Sequence, residues 1–206
     1  MYQLDQILSG ESFAPGTCLL VTGSSSTERR QVGLRVLGAG SRRGEGAIVV
    51  TTEAPAVDVF ERYAEVVDDT DDVQVGVVDC VGRDRDTDAP DLRVKHASSP
   101  GDLTQVGIEV SEFLREFREV RGFDRSRVLL DSISTMVAHT DVETVFRFLH
   151  VFNSRIETAE AFGVCLIDSP THDSQTLATF TQLFDGVVTV GDGREPTLRR
   201  HGIARG

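Results

Sequence analysis

Short apolar runs alternate along this chain with longer stretches whose apolar residues recur at helical spacing, and that alternation constrains the fold more than any other feature. Six runs have the length and composition of strands: 18–22, 47–51, 73–78, 127–130, 163–167 and 186–190. Between them lie four helical stripes. The first is Val57, Phe60, Tyr63, Ala64 and Val67, and the second is Leu103, Val106, Val110, Phe113, Leu114 and Phe117. Val142, Val145, Phe146, Leu149, Phe152 and Ile156 form the third, and Leu177, Phe180, Leu183 and Phe184 the fourth. Strands joined through helices imply an α/β protein with a mainly parallel sheet. The second stripe is expected to open with Ser99 as cap, Pro100 at the first helical position and Asp102 three residues after the cap. Residues 82–98, GRDRDTDAPDLRVKHAS, are polar and without period, and read as a surface loop. No other segment reads as a linker and no repeat is visible, so residues 1–206 read as one domain.

The 206 residues are 39% hydrophobic, enough to bury a core, and carry a formal net charge of -12. Lys95 is the sole lysine. Abundant Asp and Glu with scarce Lys fits a surface adapted to strong salt, or a GC-rich genome that favours Arg codons. The charge argues against a partner rich in phosphate backbone, since such affinity comes from clustered cations. No uncharged apolar run approaches the roughly 18 residues of a membrane helix. The segment MYQLDQILSGES lacks a basic region followed by an apolar core, so no secretion signal and a cytoplasmic location are expected. Cys18, Cys80 and Cys165 are scattered, which favours reduced thiols over disulfides or a zinc site.

One stretch carries a specific chemical suggestion. In VTGSSSTERRQVGLRVL (21–37) a strand runs into Gly23, a small polar loop, and a helix with Leu34, Val36 and Leu37 on apolar positions. That is the layout of a phosphate-binding loop, G-x-x-x-x-G-K-[ST]. Counted from Gly23, however, the last three pattern positions are Glu28, Arg29 and Arg30. In a working loop the glycines let backbone amides wrap phosphate, the Lys reaches the outer phosphates, and the hydroxyl binds Mg²⁺. Glu28 brings a carboxylate towards the triphosphate; two like charges about 4 Å apart repel by roughly 4 kcal/mol at an effective dielectric near 20. Arg29 keeps the charge of Lys in a planar fork, and Arg30 cannot ligate Mg²⁺. The stretch therefore reads as an ordinary strand–turn–helix joint, or as a site that still binds nucleotide or another anion through amides at a helix start with Arg29 and Arg30 nearby.

Other motifs are weaker. GAGSRRGEG (38–46) precedes a strand instead of following one, so it reads as a helix-to-strand turn and not a dinucleotide fingerprint. The five histidines show no metal-ligand spacing. DSPTHDSQ (168–175) leaves a strand at the end where open α/β sheets bind ligands; a helix cap by Asp173 or Thr171, or a ligand or partner role, accounts for its polarity.

Taken in order, these segments resemble the RecA-like P-loop ATPases, in particular their KaiC/RadA branch. LDQILSGESFAPGTCLLVTG resembles the branch's opening, RVLLDSIS (127–134) its Walker B strand, VVTTEAPAVDVFERYA its catalytic-glutamate segment, and LFDGVVTVGDG followed by LRRHGIARG its closing hairpin. The resemblance implies a three-layer fold with helices on both faces of a mainly parallel sheet. It implies ATP and Mg²⁺ as the ancestral ligands, with Gly23, Ser26, Thr27, Arg29, Arg30 and Asp131 as a vestigial nucleotide site and Asp131 as the Mg²⁺ ligand. Gly23 and Asp131 are then expected at neighbouring strand tips. Glu53 falls on the second residue of the family's catalytic pair, while Thr52 occupies the first, which activates water. Arg205 fits a family position that contacts a neighbouring subunit's nucleotide, although the accompanying Lys is absent. These substitutions point to a non-catalytic regulatory or signalling domain that acts through a protein partner or self-association. A divergent ATP-binding protein and an accessory DNA recombination or repair protein are the other functions the resemblance allows.

Overall fold

The computed structural model describes the chain except for residues 5, 6, 9, 68–73, 83–91, 192 and 201–206. Two short strands, β1 (Tyr2–Gln3) and β2 (Ser12–Phe13), pair with each other before the main domain begins. Then follow β3 (Cys18–Gly23), α1 (Ser26–Ser41), β4 (Gly46–Thr51), α2 (Ala56–Ala64), β5 (Val75–Asp79) and β6 (Leu92–His96). The second half contains α3 (Leu103–Glu119), β7 (Ser126–Asp131), α4 (Ile133–His139), α5 (Val142–Thr158) and β8 (Phe162–Asp168). A short 3-10 turn, Ser169–Thr171, leads to α6 (Ser174–Thr181) and the closing strands β9 (Gly186–Gly191) and β10 (Arg194–Arg200).

Eight strands form one sheet in the order β10-β9-β3-β8-β7-β4-β5-β6. All neighbours are parallel except β10, which returns antiparallel to β9. Successive strand residues face opposite ways, so each strand feeds two cores. Leu19, Val21, Val49, Val77, Leu129 and Val164 meet α1, α2 and the β1–β2 segment on one face. Leu20, Ile48, Val50, Val128, Leu130 and Cys165 meet α3, α4, α5 and α6 on the other. A strand buried on both faces must be apolar at every position, which is why these runs are continuous in the sequence. The expected three-layer α/β architecture is what the chain adopts.

Three expectations need correction. Residues 82–98 contain a strand: β6 extends the sheet beside β5, while residues 83–91 lie outside the described part. As an edge strand it tolerates charge, and Lys95 turns to α3, with Nζ 2.5 Å from Glu112 and 3.6 Å from Glu109. α3 begins after Asp102, not after Ser99; the Asp102 carboxylate accepts from the Gln105 amide, and Ser99 contributes only a backbone carbonyl to Asp102. The glycine-rich 38–46 segment is not all turn, because α1 continues through Ser41. That helix lies so close to the sheet that a Cβ on Gly33 would come within 2.7 Å of Leu129 Cδ1.

At the base of the sheet Arg127, 1% exposed, locks α1 to β7. Its guanidinium donates to Glu45 Oε2 at 2.5 Å and to the Val36 carbonyl at 2.8 Å, beneath the Tyr2 ring. Breaking such a buried pair from one side costs several kcal/mol, about 3–5.

Candidate functional site

Gly23, Asp168, Asp131 and Thr51 end four consecutive strands, β3, β8, β7 and β4, at the carboxyl edge of the sheet. Gly23 and Asp131 share that edge, but they are not immediate neighbours: β8 runs between them and contributes Asp168. A Cβ on Gly23 would sit 2.2 Å from the Val190 carbonyl oxygen, so packing against β9 alone requires glycine here.

Only Ser24 and Ser25 separate β3 from α1. Ser25 caps the helix, its hydroxyl accepting from the Glu28 amide at 3.2 Å, while its carbonyl accepts from the Arg29 amide at 3.1 Å. Both amides belong to positions that would wrap a phosphate, and both are already used. Ser26 and Thr27 are exposed in the first turn and take no part in the side-chain network below. Glu28 is half-buried, and its Oε2 has no hydrogen-bond partner among the described residues.

From the first turns of α1, consecutive arginines reach different strand tips. Arg29, buried, donates to the Gly23 carbonyl and lies 3.2 Å from Asp168 Oδ1. Arg30 places Nε 2.5 Å from Asp131 Oδ2 and Nη2 2.8 Å from Glu53 Oε2. The other Glu53 oxygen accepts from Thr135 Oγ1 at 2.7 Å and from Ser132 Oγ at 3.4 Å. Thr52 is buried, its hydroxyl donating to the Asp131 carbonyl at 2.8 Å and accepting from the Ser132 amide at 2.7 Å. At the position expected to activate water, the structure has a hydroxyl committed to two backbone groups.

The electrostatics follow from this geometry. Burial pushes the Asp131 carboxyl above the usual range, and the Arg30 guanidinium beside it offsets only part of that. Burial also pushes Glu53 upward, but the hydrogen bonds from Thr135 and Arg30 prevail and hold it below its ordinary value. Burial opposes the charge on Arg30, and the two carboxylates more than restore it. Farther along the edge, the Ser134 hydroxyl accepts from the Asp168 amide at 2.9 Å and lies 2.8 Å from His172 Nε2, and Asp173 caps α6 through the Thr176 amide. Asp168, Thr171, His172 and Asp173 thus find partners within the chain.

Of the residues expected from sequence, Gly23, Arg29, Arg30, Asp131 and Glu53 converge, while Ser26 and Thr27 do not; Arg205 lies outside the described residues. Ser25, Ser132 and Thr135 complete the cluster and were not anticipated, and Asp168, the first residue of the polar 168–175 segment, joins it through Arg29. Asp168 had a legible signal, an acid at the end of an apolar run. A Mg²⁺-nucleotide does not fit this arrangement. Arg30 already lies against the two carboxylates a metal would need, and the helix begins where the loop should wrap. An open volume of about 370 Å³ lies between α1 and α2 on the other side of Arg30, lined by Arg30 itself with Thr27, Gln31, Leu34 and Arg62. Among the described residues no cluster of His, Cys, Asp or Glu has the makings of a metal site.

The architecture is shared with known proteins. The KaiC-like protein PH0186 from the hyperthermophilic archaeon Pyrococcus horikoshii OT3 superposes with a TM-score of 0.59 at 18% identity, covering 98% of this chain and 86% of that one. At that identity the likeness shows the fold, which is KaiC/RecA-like. No curated protein matches the sequence. Residues 16–190 match the family of unknown function DUF7504, and the chain belongs to that family.

Proposed function

We propose that this chain is a non-catalytic KaiC/RecA-like domain, regulatory or signalling in role, that works in the cytoplasm through contacts with a protein partner or with itself. The observation that carries this reading is Arg30, whose guanidinium bridges Asp131 and Glu53 at 2.5 and 2.8 Å, where an ATPase of this fold would place Mg²⁺. The loop is a degenerate Walker A. Its hydroxyl is replaced by a cation, its second glycine by Glu28, and its amides are drawn into α1. A fixed +1 charge neutralises the buried Asp131 without metal, so the scaffold keeps its shape after the chemistry is gone. A net charge of -12 further disfavours a role on nucleic acid, and fits a surface adapted to high salt. No described helix is long and apolar enough to cross a membrane.

The test is ATP turnover by the purified protein in high-salt buffer with Mg²⁺. Phosphate release at the rate of a protein-free control is expected. Turnover above that control which disappears in Asp131→Ala would overturn the proposal and establish a divergent ATPase.

A further inference from the structure

A sizeable cavity lies at the opposite edge of the sheet from the arginine–carboxylate cluster. It is a groove of about 520 Å³ between the C-terminal halves of α3 and α5, closed at one end by residues 123–126 as the chain enters β7. Its walls include Leu114, Phe123, Val151 and Ala159, and Val151 is 51% exposed. Around them stand Arg115, Arg118, Arg125 and Arg155, against two carboxylates, Glu119 and Asp124. A local excess of positive charge over an apolar floor is unexpected on a chain whose net charge is -12.

None of these four arginines makes an ion pair among the described residues. Arg155 donates to the Gly107 carbonyl and, at 2.8 Å, to Ser111 Oγ; Arg125 donates to the Met1 carbonyl at 3.1 Å. The negative C-terminal ends of α3 and α5 account for a cation at Arg118 and Arg155. Arg125 also lies over the Tyr2 ring, 5.7 Å from its centroid, which leaves Arg115, and open volume of ligand size beside apolar walls, without such an account. Pockets of 300–1,000 Å³ with apolar linings and a few convergent polar groups are the usual sites for small molecules. Guanidinium forks select carboxylate, sulfonate or phosphate.

We propose that this groove binds a small amphipathic organic anion, its apolar body on Leu114, Phe123 and Val151 and its acidic group among the arginines. The site is independent of the nucleotide-site reading and stands or falls separately from it. Two fluorescent probes test it: 8-anilinonaphthalene-1-sulfonate, and N-phenyl-1-naphthylamine, which has the same aromatic body without the sulfonate. The sulfonate probe is expected to bind saturably at one site, at least tenfold more tightly than the neutral one. Arg118→Gln combined with Arg125→Gln, both at exposed positions, should weaken the sulfonate at least tenfold and leave the neutral probe within about twofold. Ser154→Phe, which fills the groove without touching its charge, should weaken both. Equal affinity for the two probes, unsaturable uptake, or sulfonate binding indifferent to the arginine changes would overturn the proposal.

Discussion

Arg30 holds together two carboxylates that would otherwise repel each other across the sheet edge, Asp131 at 9% exposure and Glu53 at 41%. Arg30→Ala should therefore destabilise the fold by about 2–3 kcal/mol, less than breaking a fully buried pair because solvent screens Glu53. The loss should depend on pH in a defined direction. Without the guanidinium the Asp131 carboxyl, which burial already pushes above its unfolded value of about 4, rises further. A raised carboxyl pKa means the folded state keeps protons the unfolded state has released, so stability falls as pH rises through that range. Urea denaturation at pH 4 and pH 7 should show a small deficit at the lower pH and the full deficit at the higher. An equal deficit at both would mean that Arg30 contributes packing and not charge.

The entry to α1 decides, at the scale of an element, whether amides are free for a ligand or spent on a helix. Ser25→Ala removes the hydroxyl that holds the Glu28 amide and should cost about 1 kcal/mol, read as a lower urea midpoint at unchanged slope. No loss would mean that the first turn does not depend on this cap. The strands and stripes of the main domain were legible because burial on both sheet faces writes continuous apolar runs and regular helical spacing. β6 was not legible, since LRVKH spends its lysine on α3 and buries little beyond Leu92. Nor was α4, whose seven residues are too short to show a period. Arg29, Arg30 and Asp131 could be picked out by register, but the pairing of Arg29 with Asp168 and of Arg30 with Asp131 could not: it depends on α1 crossing the tips of β8 and β7. Asp168 could be read as a polar strand end but not as the partner of Arg29, from which it is distant in sequence and to which only strand order brings it.

Across the whole molecule, 33 acidic residues against 21 Lys and Arg make self-repulsion a general cost of folding. The Debye length falls from about 10 Å at 0.1 M salt to about 3 Å at 1 M, so the melting temperature should climb as KCl is raised from low to molar concentration. A flat profile would remove the case for a salt-adapted surface. The interior ion pairs, Arg127–Glu45 and Arg30–Asp131, are shielded from this screening and should persist at both extremes. The claim that the chain's own cations fill the ancestral nucleotide site is tested most directly by calorimetric titration of Mg²⁺-ATP into the native protein in molar KCl. Closure by Arg29 and Arg30 predicts no saturable heat up to millimolar nucleotide. A one-site isotherm in the micromolar range that is abolished by Asp131→Ala would contradict it.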